Sequence, residues 1–129
     1  MKTIHTEKAP QAVGSYSQAV IANGFIFCSG QVGVNPETKT IGETIEEQTK
    51  QTLNNLKAVI EEAGSSLDHV VKTTIYLTDV NDFAIVNGIY AEFFGDHKPA
   101  RATVGVKELP KGKLPVSPLI EMDAIALIK

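Results

Sequence analysis

The chain has 129 residues and a mass of 13.9 kDa, of which 43 % are apolar and 21 % charged. That is the size of one domain, 1–129, and a composition too apolar for an intrinsically disordered chain. A net charge of −3, with no run of lysine or arginine, argues against a dedicated nucleic-acid surface. The longest apolar run is Ala124 to Ile128, far short of the ~20 residues of a membrane span. The opening MKTIHTEKAP has no apolar segment, so no secretory leader is expected. Cys28 is the only cysteine, which leaves no internal disulfide and makes a reducing cytoplasm the expected location.

In chain order, residues 16–34 read as two strands around Asn23-Gly24, the dipeptide most typical of a tight hairpin. The second of these strands, Phe25 to Val34, is followed by a turn or loop over 35–42. Thr44 and Glu47 then form an S/T-x-x-E capping box. Ile45, Thr49, Leu53, Leu56, Ile60 and Ala63 follow at helical spacing, and Gly64 stops the helix. Glu46, Lys50, Asn54, Lys57 and Glu61 lie off that stripe as a solvated face. Val70 to Thr78 reads as a strand rich in β-branched residues. A second helix, capped by Asp79 or Asn81, runs to Gly95 with Phe83, Val86, Tyr90, Phe93 and Phe94 as its apolar stripe.

A short strand is expected from Arg101 to Val106, with Arg101, Thr103 and Gly105 on one face and Ala102, Val104 and Val106 on the other. Three prolines make 110–118 a loop. The last strand, Leu119 to Ile128, carries Ile120, Met122, Ala124, Ala126 and Ile128 on one face. Its other face, Leu119, Glu121, Asp123, Ile125 and Leu127, mixes carboxylates with large aliphatics. The order is β-β-α-β-α-β-β, a two-layer α+β domain with both helices on one face of the sheet. Nothing remains in the chain to cover the second face, so a homo-oligomer packing sheet against sheet is expected.

Chemistry is sparse. His5, His69 and His97 lack ligand spacing with one another or with Cys28, so no metal site is expected. Neither a glycine-rich phosphate loop nor a G-x-S-x-G elbow is present. Cys28, between apolar neighbours, reads as an inert core thiol. Three polar residues stand where polarity costs something. Arg101, the only arginine, opens a strand, Glu121 sits in the last strand, and Asn87 interrupts an apolar helix face. Ser29-Gly30 interrupts the strand FIFCSGQV, where a glycine marks a bulge or the close approach of a ligand. Plainer roles are open to each. Arg101 could be a surface residue or the ion-pair partner of Glu121. Asn87 could cap a strand carbonyl, and Tyr16 could be half-buried packing.

Taken together, the motifs resemble the YjgF or Rid family of reactive-intermediate deaminases. They are Ala9-Pro10, Gly14-Ser15-Tyr16-Ser17-Gln18, Ser29-Gly30-Gln31, Glu47-Gln48-Thr49, Asn54, Leu56, Glu62-Ala63-Gly64 and Val71-Lys72-Thr73-Thr74. Asn81-Asp82-Phe83, Val86-Asn87, Pro99-Ala100-Arg101, Leu109-Pro110 and Ile120-Glu121 continue them in register to the end of the chain. The resemblance implies a chorismate-mutase-like fold assembled as a trimer, with strands lining a central barrel, helices outside and active sites between subunits. It implies hydrolysis of 2-imino acids and their enamine tautomers, such as 2-iminopropanoate and 2-aminoacrylate, to 2-oxo acids and ammonia. No cofactor is implied, and pyridoxal-phosphate dehydratases are the implied source of substrate. Arg101 then corresponds to the residue holding the substrate carboxylate and Glu121 to the one activating water. Tyr16, Ser29, Gly30 and Asn87 match pocket-lining positions, with the Gly30 N–H and the Arg101 backbone as further polar contacts.

The chain departs from the family pattern at Thr103, where many members have cysteine, and at Ser15 and Gly105, where many have proline and glutamate. Thr103 is expected to put a hydroxyl into the pocket. Lys111 to Pro118 is longer than the usual connection and is expected near the pocket. Two other functions fit the same residues. One is a non-catalytic trimer that binds 2-oxo acids as a regulator. The other is a ribonuclease or translation inhibitor, against which the acidic balance and single arginine argue.

Overall fold

The Asn23-Gly24 pair adopts φ of 52° and 80°, both in the left-handed region that a two-residue hairpin turn demands. It joins β2 (Ala19–Ala22) to β3 (Phe25–Val32). The structure, a computed structural model, describes residues 1–129. An additional strand, β1 (Lys2–Ile4), precedes the hairpin and pairs antiparallel with β2. The expected five strands therefore become six. Three residues are too few to show alternation, and their pairing comes from β2 rather than from their own pattern.

Helix α1 (Ile45–Glu62) begins as its capping box dictates, with the Glu47 N–H donating to Thr44 Oγ1 at 3.1 Å. It ends in a Schellman motif. Ser65 N–H reaches Ile60 O at 3.1 Å, Gly64 N–H reaches Glu61 O at 3.0 Å, and Gly64 takes φ 87°. The expected stripe is buried and the expected solvated face is exposed. β4 (Val70–Leu77) leads to a short 3-10 turn, Val80–Asp82, and then to α2 (Phe83–Phe94). Asp79 caps that turn, accepting the Asn81 N–H at 2.9 Å, so neither candidate cap opens α2 itself. β5 (Ala100–Gly105) and β6 (Ile120–Leu127) complete the chain.

The sheet runs β1-β2-β3-β6-β4-β5, with β4 and β5 parallel and joined by α2. The last strand in sequence thus lies at the centre, between β3 and β4. Its even-numbered face, Ile120, Met122, Ala124 and Ala126, is buried beneath the helices with Ile26, Ile75 and Leu77. Each of the larger side chains among these, Ile, Leu and Met, contributes about 2 kcal/mol by leaving water. Gly33 lets α1 settle on the sheet, because a Cβ there would lie 2.7 Å from the Gln48 backbone. The Gln48 amide donates to Gly42 O at 2.9 Å and accepts the Leu119 N–H at 2.7 Å, fixing the entry to β6.

No helix covers the other sheet face. Phe27, Val104 and Leu127 stand there 45 %, 42 % and 39 % exposed. No helix of the chain is long and apolar enough to cross a membrane.

Candidate active site

Arg101 and Glu121 are both anchored against β4 but on opposite sides of the sheet. Arg101 pairs with Thr73, whose side chain is buried under the helices. Glu121 pairs with Tyr76 on the open face. Thr73 and Tyr76 are three residues apart, ~10 Å along a strand, and odd spacing turns side chains to opposite faces. One protomer therefore keeps these two residues apart.

On the helix side, the Arg101 guanidinium lies 4.9 Å from the Tyr90 ring centroid and 5.4 Å from that of Phe83. Its Nη1 donates to Asn87 Oδ1 at 2.8 Å. Phe83, Asn87 and Tyr90 share one face of α2, so Asn87 interrupts the apolar stripe to meet the arginine rather than to cap a strand. A guanidinium has donors only, so Asn87 must turn its oxygen toward it, and the amide N–H groups face outward beside it. No carboxylate lies within ion-pair distance of Arg101. The ion pair with Glu121 is thereby excluded within the protomer. Thr103 follows on the same side of β5, and its hydroxyl oxygen is buried without a partner.

On the open side, the β3–β6 register slips between Cys28 and Gln31, and Ser29-Gly30 forms the irregularity. Ser29 Oγ donates to Ser17 O at 2.5 Å, and its N–H donates to Gln18 O at 2.9 Å, tying the bulge to the segment that carries Tyr16. Tyr16 itself is 51 % exposed. The Glu121 carboxyl lies over Gly30, filling the space that a side chain there would need. Burial pushes the Glu121 carboxyl up, and the neighbouring Asp123 charge pushes it further the same way. Tyr76 donates its hydroxyl to Asp123 Oδ2 at 3.0 Å. Cys28 points into the core, where burial and Asp123 push its thiol up to about 12.

The structure thus gathers Arg101, Asn87 and Thr103 at one locus, and Ser29, Gly30 and Glu121 at another. Phe83, Tyr90, Tyr76 and Asp123 were not among the expected site residues. Phe83 and Tyr90 carried a signal, since they share the helical stripe with Asn87. Gly105 has a steric reason to differ from glutamate, because a Cβ there would meet Val80 Cγ1 at 2.7 Å. The long loop lines an open cavity of about 550 Å³ with Thr78, Lys107 and Leu119. None of the expected site residues is on its wall.

A six-stranded sheet with two helices on one face defines a small α+β domain, with an arginine free of any ion pair on one side of the sheet and a part-buried carboxyl on the other. The family model described as Endoribonuclease L-PSP matches residues 6–128. The chain belongs to that family, the YjgF/Rid family. It is 52 % identical over 126 residues to a RutC family protein of Pyrococcus abyssi, covering 97 % of this chain and 95 % of that one. It is 43 % identical over 129 residues to the 2-iminobutanoate/2-iminopropanoate deaminase of Salmonella typhimurium, covering 98 % and 97 %. E. coli TdcF, crystallised with bound serine, superposes with a TM-score of 0.93 at 38 % identity, covering 100 % of both chains.

Proposed function

We propose that this protein hydrolyses 2-imino acids and their enamine tautomers to 2-oxo acids and ammonia, at sites completed between subunits of a homotrimer. The carrying observation is the Arg101 guanidinium, held by a ring and an amide yet without any carboxylate of its own. A planar guanidinium offers a carboxylate two parallel hydrogen bonds, which an ammonium cannot. The deaminase name of the Salmonella relative supports the reaction. The serine bound to TdcF supports an amino-acid-like ligand.

The placement of the two residues supports a second copy at the site. A three-carbon acid cannot touch both faces of one sheet, and in this reading Arg101 of one protomer and Glu121 of another face the same cleft. Packing the open faces together also removes Phe27, Val104 and Leu127 from water.

In this site Arg101 clamps the carboxylate and so fixes the imine carbon. Glu121 holds a water within ~3 Å of that carbon and accepts its proton as the C–O bond forms. The resulting carbinolamine takes a proton on nitrogen and expels ammonia, leaving the 2-oxo acid. Imines hydrolyse unaided in water, so the barrier reduction asked of these groups is modest.

The test is a coupled assay. A pyridoxal-phosphate dehydratase generates 2-aminoacrylate in situ, semicarbazide traps the imine, and trapping is measured with and without this protein. Faster 2-oxo acid release and less semicarbazone are expected. Unchanged trapping by a preparation that binds pyruvate would leave a 2-oxo acid-binding trimer without catalysis.

A further inference from the structure

Arg101 sits on an edge strand and is itself exposed, yet its guanidinium is held on one side by a buried tyrosine. The geometry points to Tyr90 as a positioning residue for Arg101: its ring, pinned through its hydroxyl to Thr73, sets the plane in which the guanidinium presents its free N–H edge. This inference rests on the reading of Arg101 as the carboxylate clamp.

The contacts form a closed loop. Thr73 is the register partner of Arg101 across the parallel β4–β5 ladder. Its side chain is 0 % exposed and points under α2. There its Oγ1 lies 2.7 Å from the Tyr90 hydroxyl. Tyr90 is 6 % exposed, so its ring has no second orientation available without moving the core. That ring then lies 4.9 Å from the Arg101 guanidinium carbon. The strand ladder fixes where the arginine backbone is, and the hydroxyl pin fixes where the ring is. Both ends of the contact are referenced to the same residue, Thr73.

Asn87 completes the cradle from one turn earlier in α2, accepting one Nη1 hydrogen at 2.8 Å. Ring contact and amide contact constrain different degrees of freedom. The amide fixes rotation within the guanidinium plane, and the ring fixes the tilt of that plane. A bidentate carboxylate contact requires both, because its two hydrogen bonds are parallel and coplanar. An unsupported arginine on an edge strand would have to give up side-chain freedom on each binding event.

The test uses the full-length protein and pyruvate as the probe. Pyruvate affinity is measured by titration calorimetry, and KM and kcat by the coupled assay. The Tyr90→Leu variant removes the ring, and Thr73→Val removes the pin while keeping shape. Both variants are expected to bind pyruvate at least threefold more weakly and to raise KM, with kcat at saturation within about twofold of wild type. Tyr90→Phe, which keeps the ring but removes the same pin, should weaken pyruvate binding to the extent that Thr73→Val does. A merely structural role would lower the melting temperature and leave the affinity of the folded protein alone.

Arg101→Ala is the reference. If it abolishes pyruvate binding while folded Tyr90→Leu and Thr73→Val bind within twofold of wild type, the positioning role is overturned and the clamp stands. If Arg101→Ala binds pyruvate as wild type does, the clamp reading itself falls. Should Tyr90→Leu fail to fold, Thr73→Val decides alone.

Discussion

A Cβ placed on Gly30 would lie 2.8 Å from the carboxyl carbon of Glu121. The two residues come from adjacent strands, and the missing side chain of one is the seat of the other. Glycine at position 30 is thereby tied to the carboxylate rather than to backbone conformation, since Gly30 has no positive φ.

Gly30→Ala should push the Glu121 carboxyl from its seat while leaving the sheet intact, because the atoms met belong to the end of a flexible side chain. Deaminase kcat/KM is expected to fall by about tenfold, ~1.4 kcal/mol of transition-state binding, with a melting temperature close to wild type. Parallel rate and thermal-melt measurements on one preparation check this. A wild-type rate would detach Gly30 from the site.

Arg101→Lys keeps the charge and loses the planar fork. Catalytic efficiency should drop by about tenfold or more, and pyruvate affinity with it. Since Arg101 has no ion pair to lose, thermal stability should change little. A lowered melting temperature with unchanged rates would make the residue structural.

Glu121→Gln should keep pyruvate binding and slow turnover, because an amide holds water without accepting its proton. The wild-type pH profile supplies a second check. As a base, Glu121 works ionised, so the rate should fall as pH drops through its pKa, which burial and Asp123 raise above the usual 4.5. Removing the neighbouring charge with Asp123→Asn lowers that pKa, so the acid limb should move to lower pH. An acid limb unmoved by Asp123→Asn would show that another group controls it.

Sedimentation should report three times the 13.9 kDa chain mass at micromolar concentration. A stable monomer would remove the shared cleft, and with it the meeting of Arg101 and Glu121.

The first helix could be read from the sequence because its capping box, apolar stripe and terminal glycine all specify the same local structure. The two faces of β6 could be read because eight alternating residues fix an inside and an outside. What alternation cannot supply is the phase between strands. Arg101 and Glu121 each belong to a face of their own strand. Only the pairings Thr73 with Arg101 and Tyr76 with Glu121 show that those faces are opposite. The support of Arg101 by Tyr90 was hidden for a similar reason. It depends on where a helix lands over a strand, a tertiary fact with no local pattern.

The buried sulfur of Cys28 bears on survival in the presence of the proposed substrate. Burial and the neighbouring Asp123 push its thiol up to about 12, so it stays in the unreactive thiol form at neutral pH. 2-Aminoacrylate has a β-carbon open to addition by thiolates, and Cys28 is the only cysteine of the chain. If 2-aminoacrylate is its substrate, the protein offers that electrophile almost no sulfur nucleophile. It should resist inactivation by its own substrate and keep its full activity through prolonged turnover and in buffers without reductant.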